Sequence, residues 1–405
     1  MSEAAPRLPI PPITRLPDDL HASTHALYRA LHQHPELAHH EHRTAARVAE
    51  ALTALGLRPH PTAETGLFAD IVGDARGPMV CLRADLDALP LTEDTGLPWS
   101  SATPGLMHAC GHDLHTASVV AAAGLLAAAP PPGIVRLLFQ PAEESSTGAL
   151  ACVRAGALDG CRAVLGGHVD LDYPVGQVAL QPGPMCVGTE HISITVTGVG
   201  AHGARPHQGR DAIVAAAAII TALQSVVARE VEPGQPAVVT IGTIHGGDRH
   251  NILASRCQLE GTLRAADPAQ FGRLRAAVDR VVEATAAAHG CSATIHRNEG
   301  TYPVVNDIDL TGACRDALST CLGDAQVRPL ARVNTGGEDF SYLHQDRPGV
   351  YVRWGARGTA PSGPAHTAKF CPDHQMIDVA GSGFAAMARA AVDWIRGLDA
   401  PAATL

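Results

Sequence analysis

Met79-Val80-Cys81-Leu82-Arg83-Ala84-Asp85-Leu86-Asp87 joins a short apolar run directly to a pair of carboxylates. A run of that length with no polar alternation suits a strand covered on both faces, as in a parallel sheet. Working outward, the same pattern returns at Ile134-Val135-Arg136-Leu137-Leu138-Phe139 and at Ala163-Val164-Leu165, with helical segments expected over Leu114 to Ala129 and Gly148 to Ala155 between and after them. Thr44 to Leu55 carries apolar residues at helical spacing ahead of the first run. Strands alternating with helices predict an α/β domain built on a mostly parallel sheet. Ligands of such sheets bind beyond the carboxyl ends of the strands. Here Asp85 and Asp87, then Gln140 to Glu144, then His168 follow the three runs, so three strand ends point at one crevice.

The texture changes near Thr189. His191 to Thr197, Ala237 to His245, Cys257 to Ala265 and Cys291 to Arg297 read as strands, while Asp211 to Arg229 and Pro268 to His289 read as helices. That order is βαββαβ, the pattern of a ferredoxin-like α+β domain. Gly349 to Trp354 then reads as a strand and Asp378 to Leu398 as a last helix, so the small domain is inserted into the large one. The expected division is 1–187 and 300–405 for the catalytic domain and 188–299 for an inserted lid or dimerisation domain.

A chain of 405 residues with 46% hydrophobic content can bury two cores. The formal net charge of −10 speaks against nucleic acid or an anionic membrane as partner. Lys369 is the one lysine and alanine is frequent, a compositional habit that says little about function. The proline-rich segment Met1 to Leu20 has no apolar core of signal-peptide length, and no run reaches the roughly 18 apolar residues of a membrane span. Ten scattered cysteines fit small buried hydrophobes rather than disulfides. Together these features predict a cytoplasmic protein.

Chemistry concentrates in Met107-His108-Ala109-Cys110-Gly111-His112-Asp113-Leu114-His115, where a thiol, a carboxylate and three imidazoles surround a glycine turn before an apolar helix. A helix start and a bound cation both lower a cysteine pKa, so the cluster has the makeup of a metal site. Gln140-Pro141-Ala142-Glu143-Glu144 sets two carboxylates side by side at a strand end, where adjacent residues point in different directions. One can then ligate while the other faces a bound water. Taken singly, the pair also fits a solvated loop, and His168 and His366 also fit plain surface histidines.

Taken together, His34-Pro35-Glu36-Leu37, Arg83 to Leu89, Met107 to His115, Gln140 to Glu144, Gly198 to His207 and Gly336-Gly337-Glu338-Asp339-Phe340 resemble the M20 family of metallopeptidases and amidohydrolases. The branch is the one that includes hippurate hydrolases, aminoacylase-like enzymes and plant auxin-conjugate hydrolases. The resemblance implies that Cys110, His112, Glu144, His168 and His366 hold two divalent metal ions, zinc or manganese first and cobalt or nickel next. It implies Glu143 as general base toward a water acidified by the metals, with Asp87 and Asp113 as supporting carboxylates and His108 and His115 in structural roles. It further places His202 in the active site of the partner subunit of a homodimer, bonded to the developing oxyanion, a contact worth ~2.7–4 kcal/mol. Asn251 and Arg264 would bind the substrate carboxylate. The implied reaction is hydrolysis of an N-acyl amino acid. A dipeptidase or carboxypeptidase, or a metal- or amino-acid-binding relative without catalysis, are the competing readings. The chain departs from its relatives at Gly336-Gly337, where a small residue and serine are common, at Ala254 in place of a proline, and on both sides of His366.

Overall fold

The computed structural model describes residues 16–297 and 300–400. Most of the Met1 to Leu20 segment, and residue 299 at the end of the expected inserted domain, lie outside them. The chain forms two compact units, one comprising residues up to Gly183 with Val305–Ala331 and Tyr342 onward, the other Pro184–Val304 with Arg332–Ser341.

In the first unit the strand Met79–Asp85 pairs in parallel with Ile134–Gln140 on one side and with Cys161–Pro174 on the other, and Cys161–Pro174 pairs in parallel with Gly349–Arg357. The sheet is therefore mostly parallel, as the apolar runs predict. Gly66–Val72, which pairs antiparallel with Ile134–Gln140, extends it toward one edge. Register sets Asp85 opposite Gln140, which brings the polar ends of two strands level. His168 differs from expectation: it sits within the long strand Cys161–Pro174, opposite Arg353, rather than past its end. Ala163-Val164-Leu165 marks only the buried middle of that strand.

The helix His112–Ala128 is buried from His112 through Ala123, which is why it reads as apolar all round. Its alanines have a structural reason. A Cβ added at Gly381 of the helix Met376–Asp399 would lie 2.6 Å from the Ala121 Cβ, so these two helices meet through small residues. Glu36 of His34-Pro35-Glu36-Leu37 accepts hydrogen bonds from the backbone N–H groups of Arg43 and Thr44, at 3.1 and 2.8 Å. It thereby satisfies donors at the start of the helix His42–Ala54 and places a negative charge at the positive end of its dipole.

The second unit carries a four-stranded antiparallel sheet in the order Ser292–Arg297, Gly188–Thr197, Arg256–Ala265, Ala237–Gly246. This order, with the helices Ala212–Glu230 and Pro268–Ala288, is the ferredoxin-like arrangement. Asp211 and Asp267 cap the two helices through their side chains, and Pro268 takes the first helical position. Ala212–Glu230 corrects the reading of membrane spans: over 18 residues its mean hydropathy is 1.8, long and apolar enough to cross a bilayer by composition. Its residues Ala212, Ala215, Ala216, Ile219, Leu223 and Val226 are instead buried at helical spacing in the core of this unit with Ile194, Val196 and Leu259.

The departure at Gly337 is explained by packing within the same unit. A Cβ there would lie 2.8 Å from Thr189 Oγ1 and 2.9 Å from Thr301 Oγ1, two hydroxyls that are hydrogen-bonded to each other at 3.0 Å. The space a serine would need is filled by the threonine pair.

In the first unit, a Cβ at Gly383 would meet the buried Trp354 ring at 2.3 Å, and that ring is already packed edge-on against Phe384. Alanine gains about 1 kcal/mol in helix propensity over glycine, but overpacking against a fixed ring costs about 1–3 kcal/mol. Gly383→Ala is predicted to lower stability by up to about 2 kcal/mol in urea unfolding, despite its better helix former.

Candidate metal centre

Gly111 turns the chain into the helix His112–Ala128 with φ 91°, in the left-handed region that favours glycine. A Cβ at that position would also press on Val169 Cγ2 at 2.7 Å. The turn sets Cys110 and His112 on either side of a helix start, where backbone N–H groups favour negative charge.

Three further segments converge on Cys110. Its Sγ lies 3.2 Å from His168 Nε2 and 3.3 Å from His366 Nε2. His366 holds a left-handed backbone, φ 62°, and its N–H donates to the Ala109 carbonyl at 2.8 Å, pinning a loop remote in sequence to the cysteine segment. A non-glycine residue in that region is uncommon and stays there only where its surroundings fix it. His366 Nε2 also lies 3.4 Å from Glu144 Oε1. The donor atoms thus form two triads that share the thiol, Cys110 with His112 and His168, and Cys110 with Glu144 and His366, the atoms of each lying within 4.8 Å of one another.

Glu143 and Glu144 do not diverge as strand alternation predicts. Their carboxylates approach His112 Nε2 at 3.8 and 3.9 Å. The pair lies in a turn, after Ala142 with φ 54°, so the two-residue alternation of a strand no longer governs it.

Asp87 organises this turn. Its Oδ1 accepts from His112 Nδ1 at 3.2 Å and from the Glu143 N–H at 3.0 Å, and its Oδ2 accepts from the Glu144 N–H at 2.9 Å. With Nδ1 committed to Asp87, Nε2 is the ring atom that His112 turns toward the cluster. Buried Glu41 holds the preceding residue, accepting the Ala142 N–H at 2.8 Å. The sequence reading missed Glu41; its place a few residues after His34-Pro35-Glu36-Leu37 is the one available signal.

His168 is oriented likewise. Its Nδ1–H donates to the Val169 carbonyl at 2.7 Å, which turns Nε2 toward Cys110. His115 accepts the Val169 N–H on Nε2 at 2.9 Å and bonds Asp85 through Nδ1 at 2.6 Å, so both its nitrogens are used structurally. Asp85 in turn bonds Arg83 at 2.7 Å, and Arg83 Nε donates to Gln140 at 2.8 Å. Asp113 supports none of the five donors directly: it bonds His32 Nδ1 at 2.6 Å, and His32 Nε2 reaches Glu93 at 3.2 Å. His108 is buried, with neither ring nitrogen hydrogen-bonded.

The donor set fits divalent metal ions. His112 Nε2 and Glu144 Oε1 are buried with no hydrogen-bond partner, a cost that a ligated ion removes. Burial opposes protonation of His112, yet Asp85, Cys110 and Asp87 together hold its pKa well above the ordinary value, so the surrounding anions call for positive charge at this point. Burial pushes the Cys110 thiol up, and a bound cation would deprotonate it. Burial, with Arg353 and His115, holds His168 well below its usual range, so its imidazole is neutral and able to ligate. Thiolate, imidazole and carboxylate together suit zinc and its neighbours.

His202, Asn251 and Arg264 lie in the second unit. His202 and Asn251 are exposed; His202 Nδ1 accepts the Ala204 N–H at 3.1 Å, and the Asn251 carbonyl accepts the Gly203 N–H at 2.7 Å. These bonds tie the His202 loop to the Asn251 loop. Arg264 donates to the Thr335 carbonyl at 2.6 Å.

Two predictions arise from this network. Asp87→Ala frees His112 and both glutamate amides and is expected to weaken metal affinity about 10–100-fold, as loss of such supporting contacts does, read by competition with a chelator. For His32, burial lowers the pKa but Asp113 and Glu93 raise it from 6.5 to about 10. A pKa raised on folding contributes stability below the unfolded value that is lost as pH climbs through the folded one. The stability of wild type over His32→Gln is therefore predicted to be full at pH 6 and largely gone by about pH 10, measured by urea unfolding across that range.

A match to Peptidase family M20/M25/M40 spans residues 81–391. The N-acetyl-L-cysteine deacetylase of Bacillus subtilis is 42% identical over 82% of this chain and 79% of its own length. Thermostable carboxypeptidase 1 of Saccharolobus solfataricus is 34% identical over 89% of this chain and 93% of its own. A solved structure of a dinuclear metal-binding peptidase of family M20 from Bacillus subtilis superposes with a TM-score of 0.81 at 32% identity, covering 93% of this chain and 99% of that one. The chain therefore belongs to peptidase family M20/M25/M40 and is a hydrolase of amide bonds.

Proposed function

We propose that the protein is a metal-dependent amidohydrolase that cleaves N-acyl amino acids into a carboxylic acid and a free amino acid. The observation that carries the reading is the pair of donor triads sharing Cys110, with the Glu143 carboxylate beside them. Cys110, His112 and His168 would hold one divalent ion and Cys110, Glu144 and His366 the other, zinc or manganese first, cobalt or nickel next. Bound, the ions supply a Lewis acid for the amide carbonyl and acidify the attacking water.

The chain's own residues supply the rest. Glu143 takes the proton of the attacking water on its carboxylate and returns it to the leaving nitrogen. Asp87 fixes the Glu143 and Glu144 amides and the His112 ring, so that base and ligands keep one geometry as the proton moves. His202 is assigned to the developing oxyanion, from the partner subunit of a homodimer, and the inserted unit to the lid and dimerisation role. Asn251 and Arg264 are assigned to the substrate carboxylate, for which a guanidinium is suited to bidentate binding. The deacetylase relative supports the N-acyl reading, and ten cysteines with no disulfide among the described residues suit a cytoplasmic enzyme.

The carboxypeptidase relative favours a second reading, cleavage of an unblocked peptide by the same centre. Assays of N-acetyl or N-benzoyl amino acids beside unblocked dipeptides separate the two: the blocked substrates are expected to turn over faster, and preference for the dipeptide overturns the N-acyl assignment. Glu143→Gln is predicted to keep its metal content while losing at least about 100-fold in kcat, the usual scale of a general base; substantial residual turnover removes Glu143 from that role. Arg264→Ala is predicted to lose the preference for a free acid over its carboxamide, measured as the ratio of kcat/KM values.

A further inference from the structure

Within the first unit, outside the centre, the helix Asp18–His32 presents His21 and His25 one turn apart, and Asp378, from the first turn of Met376–Asp399, meets both. His21 Nδ1 lies 3.0 and 2.9 Å from the two Asp378 oxygens, and His25 Nε2 lies 3.0 Å from Oδ1. The two imidazole rings are 4.1 Å apart. Behind them His25 Nδ1 meets His374 Nδ1 at 3.1 Å. The His25 and Asp378 side chains are 6% exposed, whereas His21 is 33% exposed and opens the cluster to solvent. No motif of the catalytic centre includes any of these residues.

We propose that His21, His25 and Asp378 form a further divalent-metal site of the zinc class, which ties the first described helix to the last. Two histidines four residues apart on one helix face are a chelating pair, and a carboxylate from a second helix completes three ligands. The separations of 2.9–3.0 Å approach the about 3.3 Å between two ligands each 2.0–2.1 Å from a tetrahedral ion. The fourth position falls to water on the open His21 side.

His374 supplies the outer partner that a ligating imidazole needs. Without metal, His25 Nε2–H donates to Asp378 and its Nδ1 accepts from His374. On ligation Nε2 gives its lone pair to the ion and the proton sits on Nδ1, which donates to His374. Each of the three rings keeps one proton, moved to its other nitrogen, so neutral ligation needs no net proton release.

The test is the zinc content of the full-length protein after equilibration with buffered Zn2+ and desalting, in wild type, His21→Ala, His25→Gln and Asp378→Asn. Each variant is expected to carry one zinc fewer per chain than wild type, with hydrolysis of an N-acetyl amino acid retained. Added Zn2+ is expected to raise the Tm of wild type more than that of the variants. Because the readout is a difference of one ion, it does not depend on the occupancy of the Cys110 centre. Cys110→Ser serves as the converse control, losing activity while keeping this zinc. Equal zinc content in wild type and His21→Ala overturns the proposal and leaves a hydrogen-bonded cluster only. His21→Ala decides the matter even if the more buried Asp378→Asn does not fold.

Discussion

One carboxylate holds the centre together. Asp87 accepts hydrogen bonds from the His112 ring and from the amides of Glu143 and Glu144, so it joins the loop after one parallel strand to the helix start and to the turn after the neighbouring strand. Two of its three donors are backbone amides, so its geometry is set largely by backbone rather than by flexible side chains. The sheet register that puts Asp85 opposite Gln140 is what brings those segments within reach. Loss of that register would separate the base, the ligands and their support together.

Around this anchor the centre concentrates negative charge. Asp85, Asp87, Glu143 and Glu144 surround His112, only partly offset by Arg83 and the histidines. The imbalance, and the buried Nε2 and Oε1 left without hydrogen bonds, is costly in an apolar interior. It is also what divalent cations relieve.

Much of this was legible in the sequence because its signals are local. The apolar runs at Met79, Ile134 and Ala163 mark three strands, and Cys110, His112 and Glu144 sit in short recognisable stretches, whereas His168 and His366 singly also fit surface histidines. What was hidden depends on distant pairing. Gly66–Val72 pairs antiparallel at the side of a parallel sheet, which no run of its own residues signals. Glu143 and Glu144 converge because Ala142 turns the chain, an effect of backbone conformation rather than residue type. Asp113 finds His32 rather than a metal ligand, and His21 meets Asp378 across 357 residues, contacts that only the packed helices create. Alanine frequency reads as a compositional habit, yet Ala121 of His112–Ala128 is the close contact of Gly381.

The central claim is that one thiol is shared by two metal positions. Anomalous diffraction from crystals of the enzyme loaded with zinc or manganese tests it most directly. An ion is expected at Cys110, His112 and His168 and another at Cys110, Glu144 and His366. A loaded, active enzyme with an ion at only one of these triads, or at neither, would contradict it.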